Sequence, residues 1–201
     1  MREAINCKLA LGTVQFGKTY GVSNSLGKVG YSKAKDVLQT AKVLGIDTLD
    51  TAIVYGNSES VLGKIGVRDF KVITKLPPLP EKIRSVENWV MNNVLSSLSK
   101  LKLDRIYGLL LHKSNDFLGK QGVDLHKALL KLKDNKIIFN LGVSIYDPEE
   151  LDKLEAAGVI IDIVQAPFNL LDRRIESSGW LNKLKLSNIE IHVRSVFLQG
   201  L

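Results

Sequence analysis

Apolar positions in this chain fall into short runs of strand length, separated by stretches in which they recur every three or four residues. The runs at 8–14, 46–51, 70–76, 105–111, 137–144, 161–166 and 189–197 predict seven strands. Between them the helical period predicts six helices. The first covers 32–45, with Ala34, Val37, Leu38, Ala41 and Leu44 on one face. A short one starts at Asn57 or Ser58 and closes near Gly63 to Gly66. The strongest carries the single stripe Ile83, Val86, Val90, Val94, Leu98 and Leu101. Others follow at 123–135, between Asp147 and Gly158, and around 177–186. Pro77-Pro78-Leu79-Pro80 bars a helix directly after the third strand. Asp147-Pro148-Glu149-Glu150 reads as a helix start: an Asp cap, Pro at the first position, Glu three residues after the cap.

Strict alternation of strands and helices predicts a parallel sheet. Leu109-Leu110-Leu111 and Val159-Ile160-Ile161 are apolar on successive residues, as in strands covered on both faces. With no linker or low-complexity tract, residues 1–201 read as one α/β domain, either an open doubly wound sheet or a barrel. A composition of 45% hydrophobic and 24% charged residues excludes a disordered chain or a fibre. The net charge of +7 reads as lysine on solvated helix faces, and it also suits an anionic small-molecule cofactor. Aromatics are only 6%, with no basic cluster interleaved among them, so a nucleic-acid partner is not expected. No run of 18 apolar residues is present to span a membrane. Cys7 is the single cysteine, which excludes an internal disulfide and a Cys-based zinc site. Together with the lack of an apolar leader, it predicts a cytoplasmic protein.

Gly12-Thr13-Val14-Gln15-Phe16-Gly17-Lys18-Thr19 fits G-x-x-x-x-G-K-[ST] behind a predicted strand. A phosphate-binding loop of that kind needs a helix starting at the lysine. Here 20–27 is rich in Gly, Ser and Asn, and helical periodicity begins only at Ser32. A P-loop NTPase is therefore the weakest of three functional readings. No G-x-G-x-x-G fingerprint exists to support a Rossmann site.

Asp50, Tyr55, Lys75 and His112 sit at or just beyond the carboxyl ends of three consecutive predicted strands. In a parallel barrel all such ends open onto one face, so these four would converge in one pocket. Singly, each has a bland structural role: a brace, a turn aromatic, a snorkelling lysine, a core histidine. Jointly they form a proton-donating set. An ammonium lowers a nearby phenol's pKa, and a carboxylate keeps the ammonium charged. A tyrosine so tuned can protonate a carbonyl oxygen, with the histidine bonded to the same oxygen.

The stretch from Gly45 through Asp50-Thr51-Ala52-Ile53-Val54-Tyr55-Gly56-Asn57-Ser58-Glu59 closely resembles the signature of the aldo-keto reductase family. Val72-Ile73-Thr74-Lys75-Leu76 resembles that family's lysine strand, and Leu103-Asp104-Arg105-Ile106 through Leu111-His112 its histidine strand. The resemblance implies a (β/α)8 barrel that reduces a small carbonyl substrate, an aldehyde or ketone, with NADPH or NADH. NADPH is the commoner cofactor, and no metal is involved. It implies Tyr55 as general acid, tuned by Lys75 and Asp50, with His112 orienting the carbonyl. Implied cofactor contacts are Gly12 and Thr13 near the nicotinamide ribose, and Ser144 and Gln165 at the carboxamide. Where the family has an Asn after that serine, this chain has Ile145. Where it commonly has a stacking aromatic before a serine, this chain has Arg194-Ser195. His126 and His192 match nothing catalytic.

A complete (β/α)8 barrel takes about 250 residues. The resemblance therefore implies a truncated member with seven strands and six helices, lacking the last βα units. The missing loop and helix would hold the adenosine phosphate, so the chain itself is expected to be cofactor-deficient. Bare edges on the first and seventh strands are expected to permit a homodimer. A non-catalytic cofactor-sensing or scaffold protein on the same fold, like the potassium-channel β subunits, stays open at this point.

Overall fold

The computed structural model describes residues 8–200; Cys7 lies outside them. Seven strands form one sheet: β1 (Ala10–Gly12), β2 (Thr48–Asp50), β3 (Lys71–Leu76), β4 (Ile106–Leu111), β5 (Ile138–Ser144), β6 (Ile163–Pro167) and β7 (Glu190–Arg194). They lie in the order β1 to β7, and every neighbouring pair is parallel. An order that never reverses is barrel winding, because a doubly wound sheet has a switch point. The sheet curls into an incomplete (β/α)8 fold. Among the described residues no ladder joins β1 to β7.

Apolar side chains fill two layers. Ile73, Leu110 and Ile163 form a small inner cluster. The larger clusters lie between sheet and helices: Leu109, Leu111, Leu141 and Val164 pack there with helical residues. Helix α4 (Val86–Leu101) buries Val86, Val90, Val94 and Leu101 of the predicted stripe, with Ile83 and Leu98 at its margin. Its first turn is capped by Ser85, whose Oγ accepts from Asn88 N. Helix α6 (Glu149–Ala156) starts on the predicted reciprocal cap: Glu149 N donates to Asp147 Oδ1, and Asp147 N donates to Glu150 Oε1, both at 3.0 Å.

Helices α2 (Tyr31–Val43), α3 (Ser58–Ile65) and α5 (Gly122–Asp134) fall where periodicity put them. Departures occur at strand ends and weak patterns. The first strand is three residues, because Val14–Gly17 coils into a single turn, α1, behind Gly12. Lys18 then leaves in extended conformation, so no helix starts at the P-loop lysine and that reading is excluded. The helix expected around 177–186 is two, α7 (Arg174–Ser177) and α8 (Trp180–Leu186), separated by Gly179 at φ +82°. The described chain thus holds eight α-helical segments, where six were expected. The last strand ends at Arg194, because Ser195 takes a left-handed φ of 61°. Neither Asn57 nor Ser58 caps α3 with its side chain. Asn57 Oδ1 accepts from Lys28 Nζ instead, and Ser58 is buried.

At the carboxyl-end rim, the loop after α1 meets the segment after β7. Ser23 Oγ donates to Gln199 O at 2.7 Å, and Gln199 Nε2 donates to Tyr20 Oη at 3.4 Å.

Candidate active site

Register brings the candidate residues together. Gly12, Asp50 and Ile73 are aligned across β1, β2 and β3, and Lys75 lies two residues beyond Ile73 on the same face. Its side chain is 1% exposed, and the ammonium reaches Asp50 Oδ1 at 2.7 Å and Thr51 O at 2.9 Å. A snorkelling lysine would keep its head in water. Burial pulls the Lys75 pKa down, and the Asp50 carboxylate pulls it back up. Lys75 Nζ stands 5.1 Å from the Tyr55 ring centroid. His112 meets that ring edge-on, with centroids 6.0 Å apart at 83°. Asp50, Tyr55, Lys75 and His112 therefore gather in one cluster at the carboxyl ends of β2, β3 and β4.

Burial pushes the Tyr55 phenol well above its ordinary range, Asp50 adds to the rise, and Arg194 opposes it. The net lowering expected from Lys75 is not found, because burial and the Asp50 charge outweigh it. His112 is held below its usual pKa of 6.5 by burial, then by the Lys75 charge. Its Nδ1 is buried with no hydrogen-bond partner among the described residues.

The turn that presents Tyr55 is fixed from behind. Ser58 Oγ donates to Thr13 O at 2.9 Å, accepts from Thr51 Oγ1 at 3.1 Å, and lies 3.0 Å from Thr13 Oγ1. Thr13 Oγ1 also reaches Asp50 O at 2.9 Å, so its hydroxyl braces β2 from a fully buried position. Gly17 and Gly56 press backbone to backbone. A Cβ on Gly17 would sit 1.6 Å from Tyr55 O, and one on Gly56, at φ +59°, would sit 2.4 Å from Gly17 O. Sequence reasoning missed Ser58 and the structural use of Gly17. The signal for Gly17 was there, as the second glycine of the P-loop-like string.

Ser144, Gln165 and His192 are aligned across β5, β6 and β7. Ser144 Oγ donates to Gln165 Oε1 at 3.3 Å, and Gln165 Nε2 donates to Asp50 Oδ1 at 2.8 Å. Arg194 donates to Ile145 O at 2.8 Å, and its guanidinium lies 4.3 Å from the Tyr146 ring centroid. The Ile145 side chain is fully buried in the outer core, away from any polar role. Ser195 accepts from Asn169 Nδ2 through its carbonyl. His126 packs on Phe117, and His192 lies 2.6 Å from Glu190 Oε1; both stand outside the cluster. Among the described residues no group of His, Cys, Asp and Glu could hold a metal ion.

The model of the Aldo/keto reductase family matches residues 8–201. The chain belongs to that family. Of curated relatives, the uncharacterized oxidoreductase Rv2298 of Mycobacterium tuberculosis is 28% identical over 156 residues, covering 75% of this chain and 46% of that protein. The match thus spans about half the length of this aldo/keto reductase's curated relatives. Of solved structures, PA4992 from Pseudomonas aeruginosa, assigned as an aldo-keto reductase, superposes with a TM-score of 0.76 at 26% identity. That match covers 92% of this chain and 72% of that one. The aldo/keto reductase of Klebsiella pneumoniae in complex with NADP and acetate shares the fold, with a TM-score of 0.73 at 21% identity. It is covered over 64% of its length, and this chain over 95%. No helix among the described residues is long and apolar enough to cross a membrane.

Proposed function

We propose that this aldo/keto reductase chain carries the proton-transfer site of a nicotinamide-dependent reductase of aldehydes or ketones, with Tyr55 as general acid. The observation that carries the reading is the buried Lys75 ammonium, bound to Asp50 at 2.7 Å and standing 5.1 Å from the Tyr55 ring. A lysine 1% exposed beside a half-buried phenol is an electrostatic device, because burying that charge costs free energy unless it is paired. Lys75 stabilises negative charge as the Tyr55 proton leaves, and Asp50 keeps Lys75 protonated. His112, neutral at pH 7, is a hydrogen-bond partner for the carbonyl oxygen and directs it toward Tyr55 Oη.

The residues present fit a nicotinamide group. Around Gly12 nothing lies within 4 Å of the place where a side chain would begin, so a ligand can approach that backbone. The Ser144–Gln165 pair offers a donor and an acceptor to a carboxamide. Gly12, Ser144, Gln165, Arg194 and Ser195 would hold the ring end, while the buried Thr13 hydroxyl is turned onto Asp50 O and Ser58 Oγ behind them. When bound, the cofactor supplies the hydride for the substrate carbon; NADPH is favoured over NADH by the family and by the NADP in the Klebsiella neighbour. Arg194 already rests on Tyr146, which leaves it less able to stack on a ligand ring.

The test is NADPH oxidation at 340 nm over a panel of aldehydes and ketones. Tyr55→Phe is expected to lower kcat by about 10³-fold, with NADPH binding kept by fluorescence titration. A chain that binds NADPH yet turns over nothing, with or without Tyr55, fits the cofactor-sensing alternative and overturns the reductase reading.

A further inference from the structure

Lys18 is the part of the P-loop-like string that the proposed chemistry leaves unused, and the fold delivers it to the mouth of the site. Its amide is fixed by a bond from Lys18 N to Val14 O at 3.1 Å, and the preceding Gly17 is locked against the Tyr55 turn. The Lys18 ammonium stands 5.7 Å from the Tyr55 ring centroid. It has no carboxylate partner among the described residues, whereas Lys75 is bound to Asp50 and Arg194 is engaged by Ile145 O and Tyr146. The charged groups felt most by His112 are Lys75, Asp50, Arg194 and Lys18: three cations against one carboxylate that is already paired. Such a mouth favours a negative group brought in beside the reacting carbonyl.

We infer that the carbonyl substrate carries an anionic group, a carboxylate or a phosphate, and that Lys18 is the specificity-determining residue that binds it. The inference rests on the reductase reading and narrows its substrate class. With the carbonyl oxygen between Tyr55 and His112, the anion lies on the Lys18 side of the Tyr55 ring. Lys18 selects among substrates and takes no part in the proton transfer.

The experiment compares 4-carboxybenzaldehyde with its neutral amide, and glyceraldehyde 3-phosphate with glyceraldehyde, using NADPH as reductant. The wild-type chain is expected to favour the charged member of at least one pair, and which pair tells carboxylate from phosphate. Lys18→Met is expected to cut the charged-to-neutral ratio of kcat/KM by about fivefold, chiefly through KM. Lys18→Arg is expected to keep most of that ratio, and Lys18→Glu to reverse it. Turnover with a ratio unmoved by Lys18→Met overturns the inference and leaves the reductase reading standing. A raised KM for NADPH with that ratio unmoved also overturns it, by moving Lys18 to the cofactor. No turnover of any of the four aldehydes at NADPH concentrations that saturate the chain by fluorescence titration overturns the reductase reading itself, and the inference with it.

Discussion

Lys75 holds one of the most buried charges in the molecule, and its two acceptors come from β2 and the residue after it, Asp50 Oδ1 and Thr51 O. Removing only the ammonium leaves Asp50 with Gln165 as its remaining donor. Lys75→Met is therefore expected to abolish reduction and to lower unfolding free energy by about 3 kcal/mol. Adding Asp50→Asn should recover part of the stability and none of the activity, read by urea denaturation beside the rate assay. His112 sets a pH dependence of known sign. Its folded-state pKa lies below 6.5, so as the pH falls below that value the unfolded chain takes up the proton first. The stability contribution is intact above 6.5 and is lost progressively beneath it. The urea midpoint is expected to fall between pH 7 and pH 5, and His112→Gln should remove part of that fall. At this scale the sequence was informative about chemistry and silent about support. Asp50, Tyr55, Lys75 and His112 were visible because charged and ring side chains at strand ends are conspicuous. Ser58 was not, because a buried hydroxyl hub looks like any loop serine until β1 and β2 close around it.

Between elements, the contact of Gly17 with the Tyr55 turn is made of backbone alone. Gly17→Ala drives a methyl group into Tyr55 O, and nothing flexible stands there to yield. The expected result is a loss of activity with all four site side chains present, together with destabilisation of about 3 kcal/mol. Differential scanning calorimetry and the NADPH assay check the two halves. The strong helices were legible because their apolar stripes and caps agree, as in α4 with Ser85 and α6 with Asp147 and Glu150. The break at Gly179 was not, because 177–186 lacks a continuous stripe, and a glycine there fits a helix interior or a stop equally well. Strand ends were overdrawn for a related reason. Val14 and Val196 are apolar and extend a hydrophobic run past the point where the backbone turns, at α1 and at Ser195.

For the whole molecule, the unreversed strand order is what places every candidate residue on one rim. It also leaves β1 and β7 with no partner between them among the described residues. We expect this edge pair to drive concentration-dependent self-association, a homodimer first, seen by light scattering. Val193 on β7 is exposed, and Val193→Lys is expected to suppress the association by placing a charge on that edge. From the residue pattern barrel winding was legible only as alternation, and the family resemblance implied the rest; strand order decided it, and strand order depends on contacts far apart in the chain. The rim clasp of Ser23 and Tyr20 with Gln199 has a consequence for motion. Among the described residues the seam is fastened at its upper edge with no ladder beneath, so widening there must first part these three residues. The same loop begins at Lys18, which ties the gape of the sheet to the position of a charge over Tyr55. A fluorophore pair on the exposed residues 22 and 197, beside the clasp, would act as a gauge of that gape, and ligand binding at the mouth should register as a change in its distance.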